Sequence, residues 1–385
     1  MNAFIFSTVP HLISACGSSK QAGTLVQQHF PTAKQALLVT DPGFLRTGLV
    51  TPVVSSLEAA GLQVTVWSQV VADPPEAVVL SAARDARAAG IDLVVGLGGG
   101  SSMDVAKLIA VLAAGTQPLA TMYGVGNVLG PRLPLLQIPT TAGTGSEVTP
   151  ISIVTTGETT KMGVVSPKLY ADLVILDAEL TVGLPAKVTA ATGIDAMVHA
   201  IEAYTSRLKK NPLSDMLALQ ALRLLSQNLL AVCEDGGNLE ARQAMLLGAM
   251  LAGQAFSNAP VAAVHALAYP IGGIFHVPHG LSNALVLPHV LRYNVSHAAP
   301  LYAEIAAIVA PQASGSVEAR SHALITALED MAQRVGIETR LRDLGIGADA
   351  IDRLADDAML QTRLLTNNPR ELARADAHAI YTAAW

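Results

Sequence analysis

Asp195 and His199 stand four residues apart in Gly193-Ile194-Asp195-Ala196-Met197-Val198-His199-Ala200-Ile201-Glu202, where apolar residues recur at helical spacing. On a helix this spacing sets a carboxylate and an imidazole one above the other on the same face. Pointing the same way from a rigid element, they form half of a metal site. The competing reading is an acid favoured by the helix dipole and a core histidine with its hydrogen bonds satisfied. Further along, the stretch 243–291 contains no Asp, Glu, Lys or Arg, yet it holds His265, His276, His279 and His289. One histidine in apolar surroundings is ordinarily structural; four in one uncharged region are harder to explain that way. Two of them, added to Asp195 and His199, make a carboxylate and three imidazoles. That set suits a borderline divalent ion such as Fe²⁺ or Zn²⁺. With a coordination position open, the ion acts as a Lewis acid on a substrate oxygen.

A second constellation lies earlier. Gly98-Gly99-Gly100-Ser101-Ser102 joins a buried apolar run to a helical one. Three glycines let backbone approach a ligand closely, and the helix start offers N–H groups and positive dipole to a phosphate. The turn is neither GxGxxG nor a Walker motif, since Lys107 follows no GK[ST] pattern; without a ligand it would be a tight strand-to-helix turn. Thr140-Thr141-Ala142-Gly143-Thr144-Gly145-Ser146 ends the neighbouring strand with hydroxyls and glycines that could add donors to the same phosphate. Asp41 ends the first strand, where a carboxylate suits a ribose diol and repels a 2′-phosphate, favouring NAD over NADP. It equally suits the opening of the turn Asp41-Pro42-Gly43.

These residues need an α/β scaffold followed by a helical one. Strands are expected at 35–41, 63–67, 92–97, 135–138 and 173–176, a hairpin at 152–155 and 161–165, and helices at 75–89 and 103–114. After Leu184 the strand pattern stops, Pro185 opens a helix, and the boundary falls at 183: an α/β domain over 1–183 and an all-helical domain over 184–385. The length of 385 residues agrees with two domains. Hydrophobic content of 51% against 14% charge suggests surface buried between subunits. A net charge of -6 without basic clusters argues against nucleic acid. Cys16 and Cys233 form neither a disulfide framework nor a CxxC pair. The first residues lack a basic n-region, so the cytoplasm is expected. In the uncharged stretch, Pro260, Pro270, Pro278 and Pro288 are expected to break any span of ~20 apolar residues, leaving buried helices and no membrane segment.

Taken together, Gly98-Gly99-Gly100-Ser101-Ser102-Met103-Asp104, the run from Pro139 to Thr149, the Gly193–Glu202 motif and His279-Gly280-Leu281-Ser282-Asn283-Ala284 are highly specific. The sequence resembles the iron-containing (group III) alcohol dehydrogenase family nearly end to end, including Asn368-Pro369-Arg370 near the C-terminus. The resemblance implies a parallel-sheet dinucleotide-binding domain and an all-α domain, the dehydroquinate synthase-like fold, with the active site in the cleft. It places metal ligands on Asp195, His199, His265 and His279 and pyrophosphate contacts on Gly98, Gly99 and Ser101. Thr140, Thr141 and Thr144 continue the cofactor cleft, Asp41 binds ribose and Lys161 lies near the nicotinamide. Asp104 is expected to brace the glycine turn.

One position departs from the pattern. Many members carry a histidine four residues after the third ligand, often given a proton-relay role; here it is Tyr269. With an unperturbed pKa near ~10, tyrosine is a poor base at neutral pH, so a proton route through His276 or ordered water is open. The implied reaction oxidises small primary alcohols or diols, or reduces aldehydes, hydride passing from a metal-bound alkoxide to NAD. Phe256 and Ile151 are expected to line an apolar pocket. A lyase or cyclase of the dehydroquinate-synthase type would need a basic pocket absent from the helical half. The intact Asp/His set speaks against an oxo-acid reductase of the maleylacetate-reductase type and against a non-catalytic descendant. A homodimer or larger assembly is implied.

Overall fold

The computed structural model describes residues 3–157 and 160–385. Two compact units emerge: Ser7–Gly183, and Leu184–Trp385 together with the residues up to Phe6. The N-terminal residues thus group with the helical unit, whereas the sequence reading assigned them to the α/β domain.

The first unit runs β1 (His11–Ser14), α1 (Ala22–His29), β2 (Gln35–Val39), α2 (Pro42–Arg46), α3 (Val50–Ala59), β3 (Gln63–Trp67), α4 (Glu76–Ala88), β4 (Leu93–Gly98), α5 (Gly100–Ala114), β5 (Gly124–Val125), β6 (Leu135–Pro139), β7 (Ile151–Thr156), β8 (Thr160–Val165) and β9 (Leu173–Leu176). Six strands form a parallel sheet in the order β1-β9-β6-β4-β2-β3. β4, β6 and β9 are buried throughout, which is why they read as unbroken apolar runs. One face packs on α1 and α3 through Val26, Val53 and Leu57. β2, β4 and β6 are sheet neighbours, so the segments leaving their carboxyl ends share one edge: Asp41, the glycine turn and the threonine loop.

β1 and β5 escaped the sequence reading. β1 is only four residues with polar ends, and β5 only two; pairing with β9 and β8 makes them strands, and local pattern does not. The hairpin β7–β8 is antiparallel, with Thr155 opposite Lys161. α5 begins at Gly100, three residues before the expected start, so Ser101 lies in its first turn.

The second unit is helical: α6 (Ala186–Thr205), α7 (Pro212–Glu234), α8 (Leu239–Asn258), α9 (Ala263–Phe275), α10 (His279–Val309), α11 (Val317–Arg334), α12 (Ile351–Met359), α13 (Thr362–Leu365) and α14 (Arg374–Ala384). α6 is buried almost all round from Thr189 onward and packs against α7, α8 and α10, the place of a core helix. Pro185 caps α6 from outside and is not its first residue. Among the described residues the uncharged stretch forms buried helices and no membrane-length apolar span, but two of its prolines, Pro270 and Pro288, lie inside helices and do not end them. Pro270 lies inside α9, and Pro288 and Pro300 lie inside the 31-residue α10. Each removes one backbone donor, and tertiary burial of the surrounding residues sustains the helix against that loss. Among the described residues one helix, α7, is long and apolar enough to cross a membrane, with mean hydropathy 1.4; its buried face, including Ala218, Leu222 and Leu229, packs against α6 and α8.

Candidate active site

Three helices bring the four sequence-nominated ligands together. α6 contributes Asp195 and His199 one turn apart, α9 contributes His265, and α10 opens with His279. Their ligand atoms all lie within 4.8 Å of one another. His265 Nε2 is 3.8 Å and His279 Nε2 3.7 Å from Asp195 Oδ1. Bonds of ~2.1 Å in a tetrahedral site put ligand atoms about 3.4 Å apart, so little adjustment is needed. Asp195, His199 and His265 are buried, while the His279 side chain is 36% exposed and marks the open side.

The surroundings show how each ligand is held. Glu202 Oε2 lies 2.7 Å from His265 Nδ1, and Glu202 Oε1 accepts from the Val264 N–H at 2.6 Å. With the Nδ1 proton donated to Glu202, His265 Nε2 carries the lone pair, as in metal-ligating histidines. That Nε2 is buried and has no hydrogen-bond partner. A buried polar atom left this way is costly, and an ion at the centre of the group would satisfy it. The donor set and this orphan atom therefore fit a divalent metal. Asn283 Nδ2 donates to Asp195 Oδ1 at 2.6 Å and lies 3.3 Å from His279 Nε2. Burial pushes the Asp195 carboxyl up, but the imidazoles of His199, His279 and His265 and the Asn283 bond outweigh it and hold it below the usual range. Glu202 and Asn283 were quoted within motifs without a role. Their spacing carried the signal: Glu202 follows Asp195 by seven and Asn283 follows His279 by four, so each shares its ligand's helix face.

Rings complete the site. Phe256 stacks on His199 with centroids 4.4 Å apart, and His199 stacks on His265 at 4.7 Å. Phe256 thus buttresses a ligand. Tyr269 meets His265 edge-on at 6.5 Å and His279 at 5.9 Å, flanking the group. His276 is not brought into it: the residue is exposed and ends α9 in the left-handed conformation at φ 55°.

The α/β unit assembles its own cradle. No side chain caps the start of α5, leaving first-turn N–H groups for an anion. The threonine loop folds over the glycines. A Cβ at Gly100 would sit 2.9 Å from Thr144 Cγ2, one at Gly99 3.7 Å from Thr141 Oγ1, and one at Gly98 2.6 Å from Ser102 Oγ. Thr140 is buried, its N–H donating to the Gly98 carbonyl at 3.0 Å. Asp41 opens its turn as a helix cap: Oδ1 accepts from Phe44 N at 2.9 Å at the start of α2, and Oδ2 lies 3.7 Å from the Cβ position of Gly98. Lys161 sits on β8 with its ammonium paired to Asp73. The Asp104 carboxylate is not bonded to the glycine turn itself. Its Oδ1 accepts from Ser146 Oγ and Lys107 Nζ and its Oδ2 from Ile153 N, tying it to the far end of the threonine loop and to β7. Lys107, three residues on along the same helix, pairs with that carboxylate at 3.3 Å.

Comparison with known proteins agrees with this geometry. Residues 10–178 match the iron-containing alcohol dehydrogenase family, and residues 189–385 match the Fe-containing alcohol dehydrogenase family, C-terminal. The chain belongs to the iron-containing alcohol dehydrogenase family. It is 45% identical over 358 residues to long-chain-alcohol dehydrogenase 1 of Geobacillus thermodenitrificans, covering 92% of this chain and 90% of the relative. The solved structure of a 1,3-propanediol oxidoreductase superposes with a TM-score of 0.96 at 34% identity, covering both chains fully. A sulfoacetaldehyde reductase from Bifidobacterium kashiwanohense, in complex with NAD⁺, aligns with a TM-score of 0.89 at 28% identity, over 100% of this chain and 99% of that one.

Proposed function

We propose that this chain is a metal-dependent, NAD(H)-linked alcohol dehydrogenase and aldehyde reductase for small primary alcohols or diols. The observation that carries the proposal is the convergence of Asp195, His199, His265 and His279 around the unpartnered Nε2 of His265. Relatives acting on alcohols and a propanediol, and one solved with NAD⁺, support it.

When bound, a divalent ion supplies Lewis acidity toward a substrate oxygen and NAD takes up or returns the hydride. The protein's part is positional. Asp195, His199, His265 and His279 hold the ion, with Fe²⁺ preferred and Zn²⁺ compatible with one oxygen and three nitrogen donors. Gly98, Gly99 and Ser101 take the pyrophosphate, Thr140, Thr141 and Thr144 close over it, Asp41 Oδ2 takes the ribose, and Lys161 serves the nicotinamide end. Phe256 supplies an apolar wall beside the ligands. Tyr269 holds the substrate hydroxyl, and solvent completes proton exchange. We also assign the protein to the cytoplasm, as a dimer or larger assembly. Exposed apolar residues such as Leu208 and Met216 on the helical unit are consistent with a subunit contact.

The test is a panel of alcohols, diols and aldehydes with NAD(H) and NADP(H), run on protein reconstituted with Fe²⁺ or with Zn²⁺. Turnover that no substrate raises above the metal-stripped level would overturn the proposal. Within the panel, Asp41→Gly should raise the kcat/KM ratio of NADP to NAD by about tenfold, a like-charge penalty of about 1.4 kcal/mol being removed. Glycine is nearly as good a helix cap as aspartate, so folding should change by only a few tenths of a kcal/mol. An unchanged cofactor ratio would detach Asp41 from the ribose.

A further inference from the structure

Lys107 is completely buried on α5. Its Nζ reaches Ile151 O at 2.6 Å, Ser146 Oγ at 2.7 Å, Thr149 Oγ1 at 3.1 Å and Asp104 Oδ1 at 3.3 Å. An ammonium taken out of water is costly even when paired, and an apolar side chain of similar length would fill the space at less cost. What the lysine does, and a methionine cannot, is bind three pieces of chain to one point. These are α5, the turn Ser146–Val148 that ends the threonine loop, and the first residue of β7. Asp104 repeats the linkage with its carboxylate, accepting from Ser146 Oγ and Ile153 N.

Both walls of the phosphate cradle grow from these anchored pieces. The glycine turn is the N-terminal end of α5, and Thr141 and Thr144 lie just ahead of Ser146 in the loop that folds over it. We infer that Lys107 is a positioning residue for the dinucleotide: from beneath, it sets the separation between the glycine turn and the threonine loop. It touches no ligand itself. The inference rests on the NAD reading above. It extends that reading to a residue that matched no phosphate-binding motif.

The experiment is NADH titration by fluorescence, with steady-state kinetics and thermal melting, on metal-loaded wild type, Lys107→Met, Lys107→Arg and Thr149→Val. In Lys107→Met the NADH Kd and the NAD KM should rise at least tenfold, with the alcohol KM and the kcat at saturating NAD within threefold of wild type. Lys107→Arg, which keeps the charge and its donors, should recover part of the loss. Leu225→Ala, a cavity in the helical unit, controls for loss of stability alone and should leave the NADH Kd in place. NADH binding in Lys107→Met within threefold of wild type overturns the inference, as does an equal weakening in Leu225→Ala. If Lys107→Met does not fold, Thr149→Val decides. A Kd about threefold weaker supports the inference and an unchanged one overturns it. Wild-type protein that binds no NADH would instead remove the cofactor reading on which all of this stands.

Discussion

His265→Ala should give a folded protein that retains little metal and oxidises alcohol on the order of 10³-fold more slowly, or less. Several kcal/mol of charge stabilisation at a substrate oxygen disappear with the ion, and about 4 kcal/mol corresponds to three decades in rate. Removing the ring takes away the unpartnered Nε2 but also the partner of Glu202 Oε2, so some stability is lost. Glu202 keeps its bond from the Val264 N–H, and the fold is expected to survive. Glu202→Gln is the informative companion. If the Gln carbonyl serves Val264, its amide faces His265 Nδ1 and requires that nitrogen to accept. The proton then moves to Nε2, and the lone pair aimed at the ligand group is lost. Metal affinity should fall about 10- to 100-fold, the usual effect of losing such an orienting partner. Metal content after dialysis, circular dichroism and kcat/KM together decide the matter. Wild-type activity in His265→Ala would remove the site.

Gly280→Ala tests how the helices are brought together. In an ordinary helix this change stabilises by about 1 kcal/mol. Here a Cβ would lie 2.3 Å from the Ala191 carbonyl oxygen and 2.7 Å from its carbon, both backbone of α6. Backbone in a buried helix has no rotamer by which to yield, so the first turn of α10 must move. That turn carries His279, now 3.7 Å from Asp195 Oδ1, and Asn283, which holds Asp195 in place. Stability should fall by ~1–3 kcal/mol, as overpacked cores do, and metal affinity should fall at least tenfold. A raised melting temperature with full metal content would show that the close backbone approach does not set the ligand spacing.

The legible parts of the chain were those where one physical signal dominates. β4, β6 and β9 announced themselves because strands buried on both faces have no polar side to show. Asp195 and His199 were legible as a pair because helix geometry fixes the relation between residues four apart. Where two signals competed, the reading went astray. Pro288 argued for a break, yet α10 continues through it because the packed face of the helix outweighs the missing hydrogen bond. Asp104 was assigned to the nearest motif, the glycine turn. Its partners Ser146 and Ile153 are more than forty residues away, a distance that spacing cannot bridge.

By itself the sequence determined the alternation of strand and helix, the change to helix after Leu184, and the donor types available for an ion and a phosphate. These follow from local periodicity and side-chain chemistry, which need no knowledge of the rest of the chain. Residue pattern alone left open which two of the four histidines join Asp195 and His199, and the family resemblance named His265 and His279. Their convergence on one point belongs to the tertiary structure, where α9 and α10 deliver them and leave the exposed His276 outside. The orientation of the His265 ring by Glu202 and the anchoring of two loops on Lys107 belong there too. Both depend on polar groups from distant segments meeting where water is excluded, and only the packed tertiary structure creates that condition.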